Sequence, residues 1–494
     1  MTDGAQIENK TKLSTRWSSI TEICTRLIAP IVNMILARLL TPEAFGVIAT
    51  VNMVISFADI FTDAGFQKYL IQHDFTNKRE LFDYTNVAFW TNLAISITGW
   101  GIIFIFSDDI ATLVGSEGLG NVVWIAAFSL PITSFSSIQS AHLKKNFNFK
   151  TLFYVRLIGS FVPLFVTVPL AVITHSYWSM VIGSLASNLV NAISLMVKSE
   201  WKPRLFYSFK YLKKMFSFSW WILLESIVIW LTSYIDMFIV GRYMSQTDVG
   251  YYKTAMSTVN QILTLITTAT SVPLFSGLSA IKHDRKQFEN LYYKFIRAIG
   301  VFLIPLGVGI YIFRDLVTAI LLGAQWSYIA DFIGLWGLVN AFSMLWGTYC
   351  NGVYNALGKP YLSVISQVLQ LLALVPTTII GCHYGFNVLY ISRSFIRLEL
   401  IVIQFVIMKW IVKIEPTKYI YQSIKSFICT AIMACCGIII VHTFDSFIIL
   451  FIGVFICVFI YFLLYYFLFR KELFEAFDTV GLNLMNIKEK VKKS

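Results

Sequence analysis

The chain has 494 residues, of which 57% are hydrophobic and only 13% charged, and its mean hydropathy is +0.70. A soluble domain carries about 25% charged residues, so the composition excludes that class and points to a membrane protein. The formal net charge of +12 could suggest nucleic acid, but the placement of the cations argues for another cause.

The N-terminal stretch MTDGAQIENKTKL is polar and lacks the apolar core and small-residue cleavage site of a signal peptide, so the anchor is expected to be the spans themselves. Hydropathy predicts an all-α polytopic membrane protein with fourteen spans. They lie near 17–40, 44–66, 84–107, 121–142, 152–173, 177–197, 217–241, 248–275, 291–313, 329–352, 361–381, 387–409, 424–443 and 446–469. Each is long enough to cross about 30 Å of hydrocarbon.

Alternate connections differ sharply in charge. One set, with both termini, holds 29 lysines and arginines, whereas the other holds only Arg38, Arg242, Arg314 and Arg393. Basic loops stay in the cytoplasm, so both termini are expected there. The same asymmetry accounts for most of the net charge and leaves no footprint for nucleic acid.

The stretch ARLLTPEAFGV at 37–47 is echoed by GRYMSQTDVGY at 241–251, an offset of 204 residues. Six spans per repeat is an even number, so the two halves enter the membrane in the same direction, related by a pseudo-two-fold along its normal. The expected organisation is a six-helix bundle over 1–200, a second over 201–412, and two added spans with a basic tail over 413–494. Each echoed stretch reads as a tight hairpin. Thr41 is placed as an N-cap with Pro42 in the first turn, and Ser245 and Asp248 have capping-box spacing. Gly46 and Gly250 fall in that turn, where a missing side chain permits close helix approach.

Polar groups recur inside the spans at helical spacing. Asn52, Ser56, Asp59 and Asp63 form one stripe on span 2, and Glu22, Arg26 and Asn33 another on span 1. Span 7 carries Glu225, Thr232 and Asp236, and span 8 carries Lys253, Ser257 and Asn260. Arg156, Lys294, Arg297, Arg393, Arg397 and Glu399 also lie within spans. A charge at a helix centre costs about 2.5–3.5 kcal/mol on insertion scales, so these groups are expected either to pair structurally or to line a water-filled cavity. Arg26, Arg156, Lys253, Arg297 and Arg397 would make that cavity cationic and suited to an anionic cargo. Glu22, Asn33, Asn52, Asp59, Asp63, Glu225, Asp236 and Asn260 would form its polar seam or serve ion coupling to H+, Na+ or the membrane potential.

Catalytic and cofactor signals are sparse. GSEGLG at 115–120 follows no strand and is not a nucleotide fingerprint. The seven cysteines form no ligand-spaced set and read as small core residues. Neither a metal, nor a cofactor, nor an enzymatic activity is expected.

LARLLTPEAFGVIATVNMVISFADIFTDAGFQKYLIQ at 36–72 and DMFIVGRYMSQTDVGYY at 236–252 resemble the corresponding segments of Wzx-type polysaccharide flippases. These belong to the multidrug/oligosaccharidyl-lipid/polysaccharide exporter superfamily. The resemblance implies two six-helix bundles around a central cavity, working by alternating access. It implies as cargo an undecaprenyl-diphosphate-linked oligosaccharide for O-antigen, capsule or exopolysaccharide, and as partners a polysaccharide polymerase and a chain-length regulator. The family supplies no universal residue list, so the site residues rest on helix-face reasoning. A cation-coupled multidrug exporter and a flippase for the peptidoglycan precursor are the nearest alternatives. A membrane-embedded polymerase or glycosyltransferase is a further one, disfavoured by the short outer connections.

Overall fold

The computed structural model describes residues 28–479 except 64 and 74, together with Thr21 and Thr25; the side chains of 63, 217, 218, 221, 269 and 272 are also outside the description. Glu22, Arg26 and the Asp63 side chain therefore lie outside the described residues.

Every regular element described is helical. In the first part of the chain these are α1 (Ile28–Leu39), α2 (Pro42–Asp63), α3 (Phe66–Gln72), α4 (Lys78–Ile105), α5 (Ser107–Leu113) and α6 (Gly120–Ala127). They continue with α7 (Ser129–Lys145), α8 (Phe149–Phe165), α9 (Thr167–Thr174), α10 (Trp178–Lys198), α11 (Phe209–Tyr243) and α12 (Gln246–Ala280). Then come α13 (Arg285–Ile312), α14 (Arg314–Leu321), α15 (Ala330–Ser343), α16 (Cys350–Ala356), α17 (Tyr361–His383), α18 (Phe386–Ile407), α19 (Pro416–Thr443) and α20 (Phe447–Thr479).

Among the described residues, 12 helices are long and apolar enough to cross a membrane. Several expected spans are each built from two shorter helices, as α8 and α9 are, broken at Val166 just after Pro163. Two further expected spans fall outside the 12. The described part of the first is the short α1. The other, α18, has 22 residues but carries Arg393, Arg397 and Glu399.

Capping sets the helix starts. The Ala44 N–H donates to Thr41 Oγ1 at 3.3 Å, so Thr41 caps α2 and Pro42 occupies a position that needs no donor. At α12 the box closes both ways: the Asp248 N–H donates to Ser245 Oγ and the Ser245 N–H to Asp248 Oδ2. α4 begins at Lys78 rather than near 84, because Asn77 Oδ1 accepts the Glu80 N–H at 2.9 Å. At the other end of the chain, the backbone leaves helical geometry at Phe469, where the last expected span ends, and a further helical stretch runs on to Thr479. Its final turns are held by Glu472 on Lys425 and Glu475 on Arg297.

Helix packing divides the chain into two compact units, residues 1–253 and 254–494. In the first, α7 packs against α4 and α10, α8 against α10, and α2 against α11. One of its cores joins Tyr84, Phe89 and the fully buried Trp201, which seals the loop before α11. In the second, α13 packs against α15, α19 and α20, and Tyr461 donates to the Val301 carbonyl at 2.8 Å.

Candidate functional site

Within the first unit, six helices enclose a polar pocket of about 340 Å³. It lies toward the end of the unit where α2, α7 and α10 finish and α8 begins. α2 contributes Asp59 and Thr62, whose Oγ1 donates to Asp59 Oδ1 at 2.9 Å. α8 contributes Arg156, and the last turn of α7 contributes Lys144. Among the described lining residues, two cations stand against one carboxylate.

Around these charges the wall is amide and hydroxyl. α7 supplies Thr133, Ser134, Ser136, Ser137 and Ser140. The hydroxyls of Thr133, Ser134 and Ser136 donate back to their own helix carbonyls, which satisfies the protons and leaves oxygen lone pairs. Gln67 Nε2 on α3 donates to Ser137 Oγ at 2.8 Å. Asn92 of α4 and Asn191 of α10 each line the pocket with an Oδ1 that has no hydrogen-bond partner among the described residues. Asn92 is 1% exposed. Buried amides without a partner are costly, and rotation of either side chain toward the pocket would let it accept from a bound hydroxyl.

The pocket brings together two of the expected residues, Asp59 and Arg156. The other described ones are placed elsewhere. On the same unit, Asn52 is exposed on α2 and Asn33 half-buried on α1. Asp236 is buried, accepting from Tyr252 Oη at 2.8 Å and from the Met237 N–H at 2.8 Å, which joins α11 to α12. Lys253 Nζ stands 5.1 Å from the Tyr234 ring centroid. Glu225 pairs with Lys68 at 3.5 Å on an exposed face.

In the second unit Arg297 donates to Glu475 Oε2 at 2.6 Å and to Gln422 Oε1 at 3.3 Å, tying α13 to α20 and α19. Arg393 and Arg397, one turn apart on α18, both lie over the buried Trp336, at 5.0 and 5.4 Å from its ring. Arg393 is 5% exposed, so it does not reach out to water as its place near a span end would suggest. Asn260 Oδ1 accepts from both Trp336 Nε1 and Asn340 Nδ2, at 3.2 and 2.7 Å. No group of three or more His, Cys, Asp or Glu residues able to hold a metal occurs among the described residues.

Sequence reasoning missed Lys144, which it counted as a loop cation, and the amides Asn92 and Asn191. The run SLPITSFSSIQSAH at 129–142 carried the missing signal. Five Ser/Thr hydroxyls on a single membrane span face one pocket.

The comparisons with known proteins agree with this architecture. The chain is 25% identical to the "Succinoglycan biosynthesis transport protein ExoT" of Rhizobium meliloti over 65% of its own length and 64% of that protein's. It is 19% identical to the "Lipopolysaccharide biosynthesis protein WzxC" of Escherichia coli, over 83% and 82% of the two chains. Its fold matches the solved inward closed conformation of the lipid II flippase MurJ with a TM-score of 0.73, at 16% identity, over 92% of this chain and 98% of that one. The sequence model for polysaccharide biosynthesis proteins matches residues 35–331, which is more than half of the chain, and the protein belongs to that family.

Proposed function

We propose that this protein moves a lipid-linked oligosaccharide, joined to its polyprenyl carrier through a diphosphate, across a bacterial cytoplasmic membrane for surface polysaccharide synthesis. The observation that carries the reading is the first-unit pocket. Lys144 and Arg156 suit the anionic linkage, and the α7 hydroxyls with Asn92 and Asn191 suit the sugars. Arginine can grip phosphate oxygens with two parallel donors, whereas lysine acts as a point charge. The names of the relatives, transport and biosynthesis proteins for surface glycans, support the same class.

In this reading α1 and α18 also cross the membrane, which brings the spans to fourteen, arranged as six, six and two with both termini in the cytoplasm. The halves work by alternating access, driven by H+, Na+ or the membrane potential. A polysaccharide polymerase and a chain-length regulator receive the cargo. A multidrug exporter for organic cations would favour the opposite sign of pocket.

The test is the sidedness of the lipid-linked oligosaccharide in cells depleted of the protein. The sugar is labelled and challenged with a membrane-impermeant glycosidase outside the cytoplasmic membrane. An intact, protected glycolipid is expected to accumulate. A glycolipid that is exposed but unpolymerised would instead assign the protein to polymerisation, and an unaffected pool would move it to drug or ion export.

A further inference from the structure

Next to the polar pocket, the first unit holds a second cavity of about 890 Å³, walled by α2, α4, α5 and α11. Its lining is aliphatic and aromatic almost throughout. Phe57, Phe61 and Trp230 line it, with the Phe57 and Trp230 rings 4.8 Å apart. Trp230 Nε1 donates to Ser56 Oγ at 3.0 Å, so the indole's one polar atom is satisfied outside the groove. Thr62 stands in the wall of both cavities, so the apolar groove adjoins the cationic pocket at that residue.

From Thr62 back to Met53 the groove follows α2 for about 14 Å, at about 1.5 Å per residue. That is close to half the hydrocarbon thickness of about 30 Å. Gly99 of α4 lines the groove, and a Cβ there would meet no heavy atom within 4 Å. A charged pocket adjoining an apolar groove suits one amphiphile, head in one and chain in the other.

We infer that this groove holds the first isoprenoid units of the cargo's polyprenyl chain while the diphosphate sits beside Lys144 and Arg156. The inference rests on the function proposed above. A polyprenyl diphosphate is a better match than a bulk zwitterionic phospholipid, whose headgroup brings its own cation. Among the described lining residues two cations stand against one carboxylate, which matches a headgroup of net negative charge.

The experiment compares two probes on the purified full-length protein: undecaprenyl diphosphate and the five-carbon dimethylallyl diphosphate. Gly99→Trp fills the groove. It is expected to weaken undecaprenyl diphosphate binding by about ten-fold or more, since burial of each methylene contributes appreciably. Binding of the five-carbon probe should be unchanged, and its retention shows that the variant is folded. The smaller Gly99→Leu should give the same pattern in weaker form. Arg156→Ala should weaken both probes.

If Gly99→Trp leaves long-chain binding intact while Arg156→Ala still weakens both, the chain lies elsewhere and only this inference fails. A Gly99→Trp variant that loses both probes equally, with Gly99→Leu losing neither, overturns it as well. If Arg156→Ala affects neither probe, the pocket is not the diphosphate site and the functional reading itself fails.

Discussion

Gly46 and Gly250 hold equivalent places in the two echoed hairpins, and each lies against the backbone of the other copy. A Cβ on Gly46 would stand 1.8 Å from the Gln246 carbonyl oxygen, and one on Gly250 would stand 1.9 Å from that of Pro42. Pro42 and Gln246 are themselves 204 residues apart, so the contact is reciprocal. Thr50 adds to it, its Oγ1 lying 3.3 Å from Gln246 Oε1. The sequence echo thus marks the place where two helix N-termini meet without side chains between them.

Gly46→Ala and Gly250→Ala are each expected to destabilise the protein by about 1–3 kcal/mol, the usual range for overpacking. The obstructing atom is a backbone carbonyl, which cannot rotate aside as a side chain would. Thermal unfolding of the purified variants checks this, and the double variant should cost less than the sum because both residues belong to one contact. A melting temperature unchanged in both single variants would mean that the helices are free to separate there.

Removing the Arg156 guanidinium is expected to act on binding. A hydrogen bond to a charged group contributes about 1.5–3 kcal/mol, so Arg156→Ala should weaken diphosphate binding by roughly 10–100-fold. Arg156→Lys should fall between, because it keeps the charge and loses the fork. Lys144→Ala should cost less than Arg156→Ala. Titration of a soluble prenyl diphosphate against each purified variant decides the order.

Arg297, like Arg156, is a cation inside a span in the sequence, and the structure ties it to Glu475. Its bond to Glu475 at 2.6 Å is partly buried. Arg297→Ala or Glu475→Ala should therefore cost about 1–3 kcal/mol of stability, less than the figure for a fully buried pair. The charge-reversed pair Arg297→Glu with Glu475→Arg should recover part of it. Export measured at a permissive temperature should survive the reversal, and loss of export in a stable reversed variant would return Arg297 to the cargo path.

Why the sequence separated these cases poorly has a physical answer. Hydropathy, capping and the repeat depend on neighbours along the chain, so Thr41, Pro42, Ser245 and Asp248 could be read directly. The partner of a buried charge lies far away in sequence: Glu475 is 178 residues from Arg297. Asp236 was grouped with Asp59 because both sit on a polar helix face, yet one is bound by Tyr252 and the other faces the pocket. Helix-face spacing places a side chain in azimuth but does not say what stands opposite. The helical stretch that follows the break at Phe469 was missed for the same reason, since its polar turns are held by cations from α13 and α19.

Gly159 tests whether the pocket's shape, and not only its charge, matters. On α8 it lies against Asn191 of α10, and a Cβ there would stand 2.3 Å from Asn191 Oδ1. The obstructing atom is the end of a side chain, so Gly159→Ala should turn Asn191 out of place and leave the helices packed. Alanine also favours the helix over glycine by about 1 kcal/mol, which offsets the crowding. The expected result is a near-wild-type melting temperature with weaker binding of the sugar-bearing lipid and unchanged binding of a bare prenyl diphosphate, because Asn191 serves the sugar and Arg156 the phosphate. If the effect runs through Asn191, adding Gly159→Ala to Asn191→Ala should change nothing further. An additive loss in that double variant would show that the glycine acts on helix packing, and the amide would then have no separate part in recognising the glycan.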